Sequence, residues 1–369
     1  MVELLGEIKV PGAVALCGEY GSIFGEPALA FALDQKLKLK AQQTDLDFFI
    51  VDGYKLDSQK HLYFEIALKQ LWTGAVLEFK TMSEIPMVTG LGTNSALAVA
   101  LGGLLINLRK VIAKPKKRKS INKTDRIISQ YKAIKQISNS AFQIENAINA
   151  PVSPLQTTTS AIGGVVLLDS EKKGSIFSIS YQEQKWYSHK LNNLEEISFV
   201  IGYPKSRLTN LQENPRPLFD SPPKPKSVKR TKLHTLRTTL RQSGTQESIL
   251  NKLTRFVSRS NFAMDNIKEM GKITREACTR LIQGDIEKVG KLLAEQYNLL
   301  TILGVCPDEL KPFVEATKDD SYGVTITGVN GDTILAISDA PQKVVENIKK
   351  LGGEGFIGNI LNRGFEVKI

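Results

Sequence analysis

The sequence predicts an α+β protein of two domains dividing near residue 195, and three observations carry that expectation. The chain has 369 residues, enough for two separate cores. Short apolar runs bounded by glycine or proline recur in both halves, as strands do. Two long segments, one starting near Asn94 and one covering roughly 124–149, place apolar residues at helical intervals. With 41% hydrophobic and 24% charged residues, general disorder is excluded.

Taken in order, Glu7 to Val10 alternates and meets Pro11-Gly12, a strand running into a turn. Ala13 to Cys17 is small and apolar, as a buried strand is. Gly18-Glu19-Tyr20-Gly21 breaks the pattern, and Pro27 to Ala32 resumes it. Further strands are expected at Leu37–Gln42, Phe48–Asp52 and Ala75–Thr81. The second long helix carries Ile127, Ile134, Ile137, Ala141, Ile144 and Ile148 on one side. A polar Ser/Thr-rich loop is expected from Ser153 to Ser160, then strands at Gly163–Leu168 and Ile197–Gly202. Residues 204–242, rich in Pro, Lys and Arg, read as a loop or insertion. Ile249 to Ile302 reads as mainly helical, and strands at Val324–Ile326, Thr333–Ser338 and Gly364–Lys368 close the chain.

The net charge of +11 gathers in two runs, Lys114–Lys119 and Lys224–Arg241. Such an excess suits nucleic acid, an acidic membrane or a polyanion such as a nucleotide. The first run lacks interleaved aromatics, so a solvated loop is preferred there over a nucleic-acid surface. Cys17, Cys278 and Cys306 form no metal-ligand spacing, as expected of a reduced intracellular protein. His61, His189 and His234 are scattered and suggest neither a triad nor a metal site. The N-terminus has no apolar run of signal length, and Ala96–Leu108 is too short to span a bilayer. The expectation is a cytoplasmic chain without a membrane partner.

The most informative segment is Ile85-Pro86-Met87-Val88-Thr89-Gly90-Leu91-Gly92-Thr93-Asn94-Ser95-Ala96. Gly90 and Gly92 let backbone amides approach a phosphate without interference from a Cβ. Thr93, Asn94 and Ser95 can cap the helix that starts there, whose free N–H groups and dipole attract an anion. An ordinary capped helix after a turn would look the same. Two more segments sharpen the choice: Lys9-Val10-Pro11-Gly12-Ala13-Val14-Ala15-Leu16-Cys17-Gly18-Glu19-Tyr20 with Phe24-Gly25-Glu26-Pro27-Ala28-Leu29-Ala30, and Gly323-Val324-Thr325-Ile326-Thr327-Gly328-Val329-Asn330-Gly331-Asp332-Thr333.

In order and spacing these three segments resemble the motifs of the GHMP kinase superfamily, and within it the mevalonate kinases of archaea and bacteria most closely. Ser153-Pro154-Leu155-Gln156-Thr157 through Gly163-Gly164 resembles a further family segment, so the likeness covers nearly the whole chain. The resemblance implies an N-terminal ATP-binding domain over 1–195 with a left-handed βαβ element. It also implies a C-terminal α+β domain over 196–369, bearing the insertion near 204–242, and a nucleotide cleft between the two. It further implies ATP and Mg²⁺ as cofactors and a small alcohol such as mevalonate as acceptor, in isoprenoid synthesis. A homodimer is left open.

Carried over residue by residue, the resemblance gives Gly90, Leu91, Gly92, Thr93, Asn94 and Ser95 to the ATP phosphates, with Gly328 and Gly331 from the third motif. Glu145 and Asn94 fall on metal positions, Asn94 where the family usually has serine. The plain alternative for Glu145 is a solvated helix charge. Its separation from Gln156 equals that of the family's glutamate and catalytic aspartate, which favours the metal role. Glu19, Tyr20, Ser153 and Thr157 are candidates for contact with substrate, and each could equally be structural. The reaction centre departs from the pattern. The catalytic aspartate falls on Gln156 and its lysine partner on Ala13, while the third motif has lost glycines and gained Asp332. Glutamine is neutral and cannot serve as a base. A second expectation, from another class, is therefore a catalytically impaired relative that binds nucleotide as a regulator or scaffold.

Overall fold

The computed structural model describes residues 4–369 except 88, 114–122, 193, 195–196, 206–248 and 329–332, with backbone alone at 4, 113 and 123–128. The chain opens with a long hairpin in which β1 (Leu4–Cys17) pairs antiparallel with β2 (Ala28–Gln43), from Leu4 opposite Gln42 to Cys17 opposite Leu29. The turn expected at Pro11-Gly12 does not form. The strand continues through it, and the pairing shifts register between Pro11 and Ala13. Such a bulge accommodates a proline that has no N–H to give the ladder.

Around this hairpin stands the larger sheet. It contains β3 (Ile50–Val51), β4 (Tyr54–Lys55), β5 (Leu77–Ser83), β6 (Val165–Asp169), β7 (Phe177–Tyr181) and β8 (Gln184–Leu191), in the order β4-β3-β5-β2-β6-β8-β7. β1 also pairs with the last strand, β13 (Glu366–Lys368), so the end of the chain returns to its beginning. The second sheet has β9 (Ser198–Pro204), β10 (Gly323–Thr327), β11 (Thr333–Ile337) and β12 (Gly353–Asn359), in the order β10-β11-β9-β12. The sequence reading missed β12, whose glycines dilute its apolar pattern. They serve close packing: a Cβ on Gly358 would come within 2.7 Å of Leu33.

The helices are α1 (Leu62–Leu71), α2 (Thr93–Ala113), α3 (Lys123–Asn149), α4 (Leu155–Ile162), α5 (Ile249–Val257), α6 (Asn261–Ile282), α7 (Ile286–Ile302), α8 (Lys311–Thr317) and α9 (Pro341–Lys350). α2 is longer than the apolar run suggested. Its span Thr93–Ile112 is long and apolar enough to cross a membrane, yet 72% of its most apolar stretch is buried inside the fold. α3 buries Ile134, Ile137, Ala141 and Ile144 as its spacing requires. The side chain of Ile127 lies outside the described residues, as do the runs 114–119 and 224–241.

α4 replaces the polar loop expected at Ser153–Ser160. The hydroxyl of Thr157 donates to Pro154 O (3.1 Å) and that of Thr159 to Leu155 O (2.8 Å). Back-bonded in this way, hydroxyl side chains can be buried in a helix, and Thr157 to Ser160 are all 0% exposed. The sheets share apolar packing, since Phe31 of β2 stacks on Phe199 of β9 with ring centroids 4.3 Å apart. A smaller cluster, including Tyr20, Met270, Leu300, Val324 and Ile348, fills the space under the second sheet.

Candidate functional site

The glycine turn leads directly into α2. Gly90 and Gly92 both adopt left-handed backbone, with φ of 70° and 78°, a region costly for residues with a Cβ. Space forbids one as well. A Cβ on Gly90 would lie 2.5 Å from Gly328 Cα, and one on Gly92 would lie 2.7 Å from Ala13 N. The second motif therefore touches the third at Gly328 and the first at Ala13. Ala13 N donates to Leu91 O (3.1 Å). The first helical bond of α2 runs from Ala96 N to Gly92 O (2.8 Å), so the amides of Thr93, Asn94 and Ser95 precede the helical ladder. Leu91 is buried, and Asn94 projects into solvent at this helix start.

Ser95 turns inward from the first turn of α2 to meet Glu145, which α3 delivers to the same point. Its hydroxyl lies 3.0 and 2.9 Å from the two carboxylate oxygens. Glu145 is only 9% exposed, and burial pushes its carboxyl up to about 7, against the opposing effect of the Ser95 hydroxyl. Gln156, on the first turn of α4, donates from Nε2 to Gly90 O (3.0 Å), and its Oε1 lies 3.5 Å from Ser95 Oγ. The position at which the resemblance implies an aspartate therefore tethers the glycine turn to α4.

The first and third motifs meet at Gly328. Gly328 N donates to a carboxylate oxygen of Glu19 (3.0 Å), and Tyr20 OH donates to Gly328 O (2.9 Å). Burial pushes the Glu19 carboxyl up to about 7. The Gly328 amide opposes that rise, and the neighbouring Glu145 charge adds to it. Thr333 ties the same region to the second motif, donating to Thr89 O (2.6 Å).

Between these groups lies a small cavity of about 30 Å³. Its polar wall is Glu19, Ser95, Glu145, Ser153 and Gln156, and its apolar wall is Tyr20, Ile23, Val152, Leu155 and Leu250. Two expected site residues lie elsewhere. Ala13 is fully buried in β1, and Thr157 is fully buried with its hydroxyl turned onto Pro154 O; neither lines the cavity. Gly331 and Asp332 lie outside the described residues. Apart from Tyr20, the apolar lining went unforeseen. Ile23 and Leu250 belong to separate parts of the chain, and nothing in their local sequence distinguishes them from core residues.

The arrangement can hold phosphate on the helix-start amides and a hard cation on the Glu145 and Ser95 oxygens. Among the described residues no group of three or more His, Cys, Asp or Glu side chains is placed to hold a metal. Mg²⁺ does not need one, because it is usually bound by one or two carboxylates, substrate phosphates and water. The oxygen set and the buried, otherwise uncompensated charge of Glu145 fit that ion.

No family model matches the chain. It is 22% identical over 331 residues to the mevalonate kinase of Methanothermobacter thermautotrophicus, covering 88% of this chain and 86% of that one. Its fold is similar to the L. major mevalonate kinase solved in complex with R-mevalonate. The TM-score is 0.65 at 15% identity, over 95% of this chain and 94% of that one. It is also similar to Lactococcus lactis galactokinase complexed with galactose, with a TM-score of 0.61 at 15% identity, over 98% and 95% of the two chains. At such identities the two structures establish a likeness of fold.

Proposed function

We propose that this chain, which belongs to the GHMP kinase superfamily near the mevalonate kinases, transfers the γ-phosphoryl group of ATP to the hydroxyl of mevalonate or a related small alcohol, in isoprenoid synthesis. The observation that carries this reading is the meeting of Ser95 and Glu145 where the glycine turn enters α2, at the wall of a closed-in cavity. The backbone from Gly90 to Ser95 would take the phosphates, and Gly328 would close over them from the other side. Glu145, with Ser95 beside it, would hold Mg²⁺, while Asn94, the other position the resemblance gave to the metal, projects into solvent. When bound, that ion would neutralise charge on the transferring group.

Ser153 and Gln156 supply neutral hydrogen bonds that can orient an acceptor hydroxyl in the cavity. Gln156 cannot remove its proton. Loss of a general base costs a factor of about 10²–10⁴ in rate. Phosphoryl transfer rests mostly on positioning and electrostatics, so turnover is reduced rather than abolished. Purified protein should release ADP from Mg-ATP when mevalonate or a related alcohol is added. Absence of ADP release, whether or not Mg-ATP binds, would overturn the reading.

A second reading, a nucleotide-binding regulator without catalysis, is favoured by one feature. Gln156 is engaged with Gly90 O as a structural tether, a use that needs no reaction. ADP release in the Gln156→Asp/Ala13→Lys variant beside silence in the natural chain would support it.

A further inference from the structure

Gln296 belongs to none of the three motifs, yet it lies where two of them are anchored. It stands on α7, only 4% exposed, and both ends of its amide are used. Gly18 N donates to its Oε1 (2.7 Å), and its Nε2 donates to Thr325 Oγ1 (3.3 Å). The orientation of that amide is forced, because a backbone N–H can only donate and so must face the oxygen. One buried side chain thus joins the residue just past β1 to the middle of β10.

The partners it joins have little room to shift by themselves. Gly18 is left-handed, with φ of 76°, and a Cβ there would strike Pro27 O. α7 is seated directly on β10, since a Cβ on Gly323 would strike Gly290 O. Two hydrogen bonds would satisfy a buried amide anywhere. What distinguishes Gln296 is that both its partners sit within three residues of one contact. Glu19 follows Gly18 and accepts from Gly328 N, Tyr20 donates to Gly328 O, and Gly328 itself lies three residues beyond Thr325. Gly328 in turn packs against the glycine turn, where a Cβ on Gly90 would lie 2.5 Å from its Cα.

We propose that Gln296 is a positioning residue, which fixes the Gly18 turn against β10 and thereby sets Gly328 opposite the phosphate turn at Gly90. That Gly328 serves a nucleotide rests on the kinase reading above; that Gln296 positions it does not. Without the bridge, β10 and the Gly18 turn are free to separate, and the two contacts of Glu19 and Tyr20 with Gly328 loosen together. Such a shift weakens the hold on ATP and leaves Glu145 and the acceptor side untouched. Its kinetic signature is a raised KM for ATP with kcat little changed.

The test follows amide hydrogen exchange of the full chain by NMR, with β6 of the larger sheet reporting global opening. Gln296→Met keeps the length of the side chain and removes both hydrogen bonds. Exchange at the Gly328 amide should quicken about tenfold relative to β6, as the loss of one or two hydrogen bonds requires. Thr325→Val removes one bond and should quicken it about threefold; it takes the place of Gln296→Met if that variant does not fold. In ADP release from Mg-ATP, Gln296→Met should raise KM for ATP about tenfold and keep kcat within about twofold of the natural chain. Unchanged exchange at Gly328, or a rise that β6 shares, overturns the inference. So does a kcat that falls while KM for ATP holds. If the natural chain releases no ADP, the kinase reading fails, and exchange at Gly328 alone decides the inference.

Discussion

Glu145→Gln should stabilise the protein while removing the metal ligand proposed above, and the size of the gain follows from the buried carboxylate. The group titrates at about 7 in the fold against an ordinary value of 4.5. For an acid whose native pKa is raised, the unfolded chain releases its proton first. Stability is therefore lost as pH rises from 4.5 towards 7, and above that the full loss is felt. Linkage puts the loss at ~1 kcal/mol near pH 5 and ~3 kcal/mol near pH 8.5. Glutamine keeps an acceptor for Ser95 and carries no charge. Urea unfolding of both proteins should show the variant ~3 kcal/mol more stable near pH 8.5, with the difference falling to ~1 kcal/mol near pH 5. Added Mg²⁺ should stabilise the natural chain at the higher pH and leave the variant unmoved, because only the former has a charge to offer it. A variant no more stable near pH 8.5, or a difference independent of pH, would refute the reasoning.

Three further outcomes are expected. Gly92→Ala should cost ~1–3 kcal/mol through its left-handed backbone and abolish binding of a fluorescent ATP analogue, since its Cβ would strike the backbone of Ala13. Tyr20→Phe leaves Gly328 O without the phenol and should cost ~1 kcal/mol in urea unfolding. Its activity should show a raised KM for ATP with kcat little changed if Gly328 closes over the nucleotide. Gln156→Asp alone should raise turnover less than Gln156→Asp with Ala13→Lys. In the single variant the new carboxylate joins Glu19 and Glu145 without a cation, so its gain should appear only above about pH 7. Identical pH–rate profiles for the two would sink this account.

The elements that were legible in the sequence are those whose burial is local. The face of α3 from Ile134 to Ile144 and the apolar strands β6, β9 and β11 announce themselves by periodicity or by unbroken runs. The reading failed where tertiary contacts override local preference. Pro11-Gly12 looks like a turn, but β2 pairs with β1 on both sides of it, at Pro11 and again at Ala13, and holds the chain extended through it. Thr157 to Ser160 look like loop residues, yet in a buried helix two of their hydroxyls bond back to earlier carbonyls. In the site, the glycine turn was a candidate because few residues let backbone amides approach a phosphate, and Glu145 was a candidate through the resemblance and its separation from Gln156. The linkage of Glu19 and Tyr20 to Gly328 was invisible, because it joins residues about three hundred positions apart. The apolar wall was invisible for a different reason: aliphatic residues lining a cavity have the same composition as those filling a core.

The paired absence of a lysine at Ala13 and an aspartate at Gln156 is consistent with the charges that remain. Burial pushes both Glu19 and Glu145 up to about 7, and it would raise a further carboxylate here in the same way. An aspartate at 156 without its lysine would be that further carboxylate, and a lysine at 13 without the aspartate would be a lone buried cation. Glutamine is the replacement that keeps the most. Its amide reaches Gly90 O, and its carbonyl stays beside Ser95, the same serine that holds Glu145. The glycine turn, the helix start and the Glu145 carboxylate are thus connected through one uncharged side chain and Ser95. Under the proposed kinase reading, what this glutamine cannot supply is a proton acceptor, and that is the reason turnover would be slow while the architecture around it stays connected.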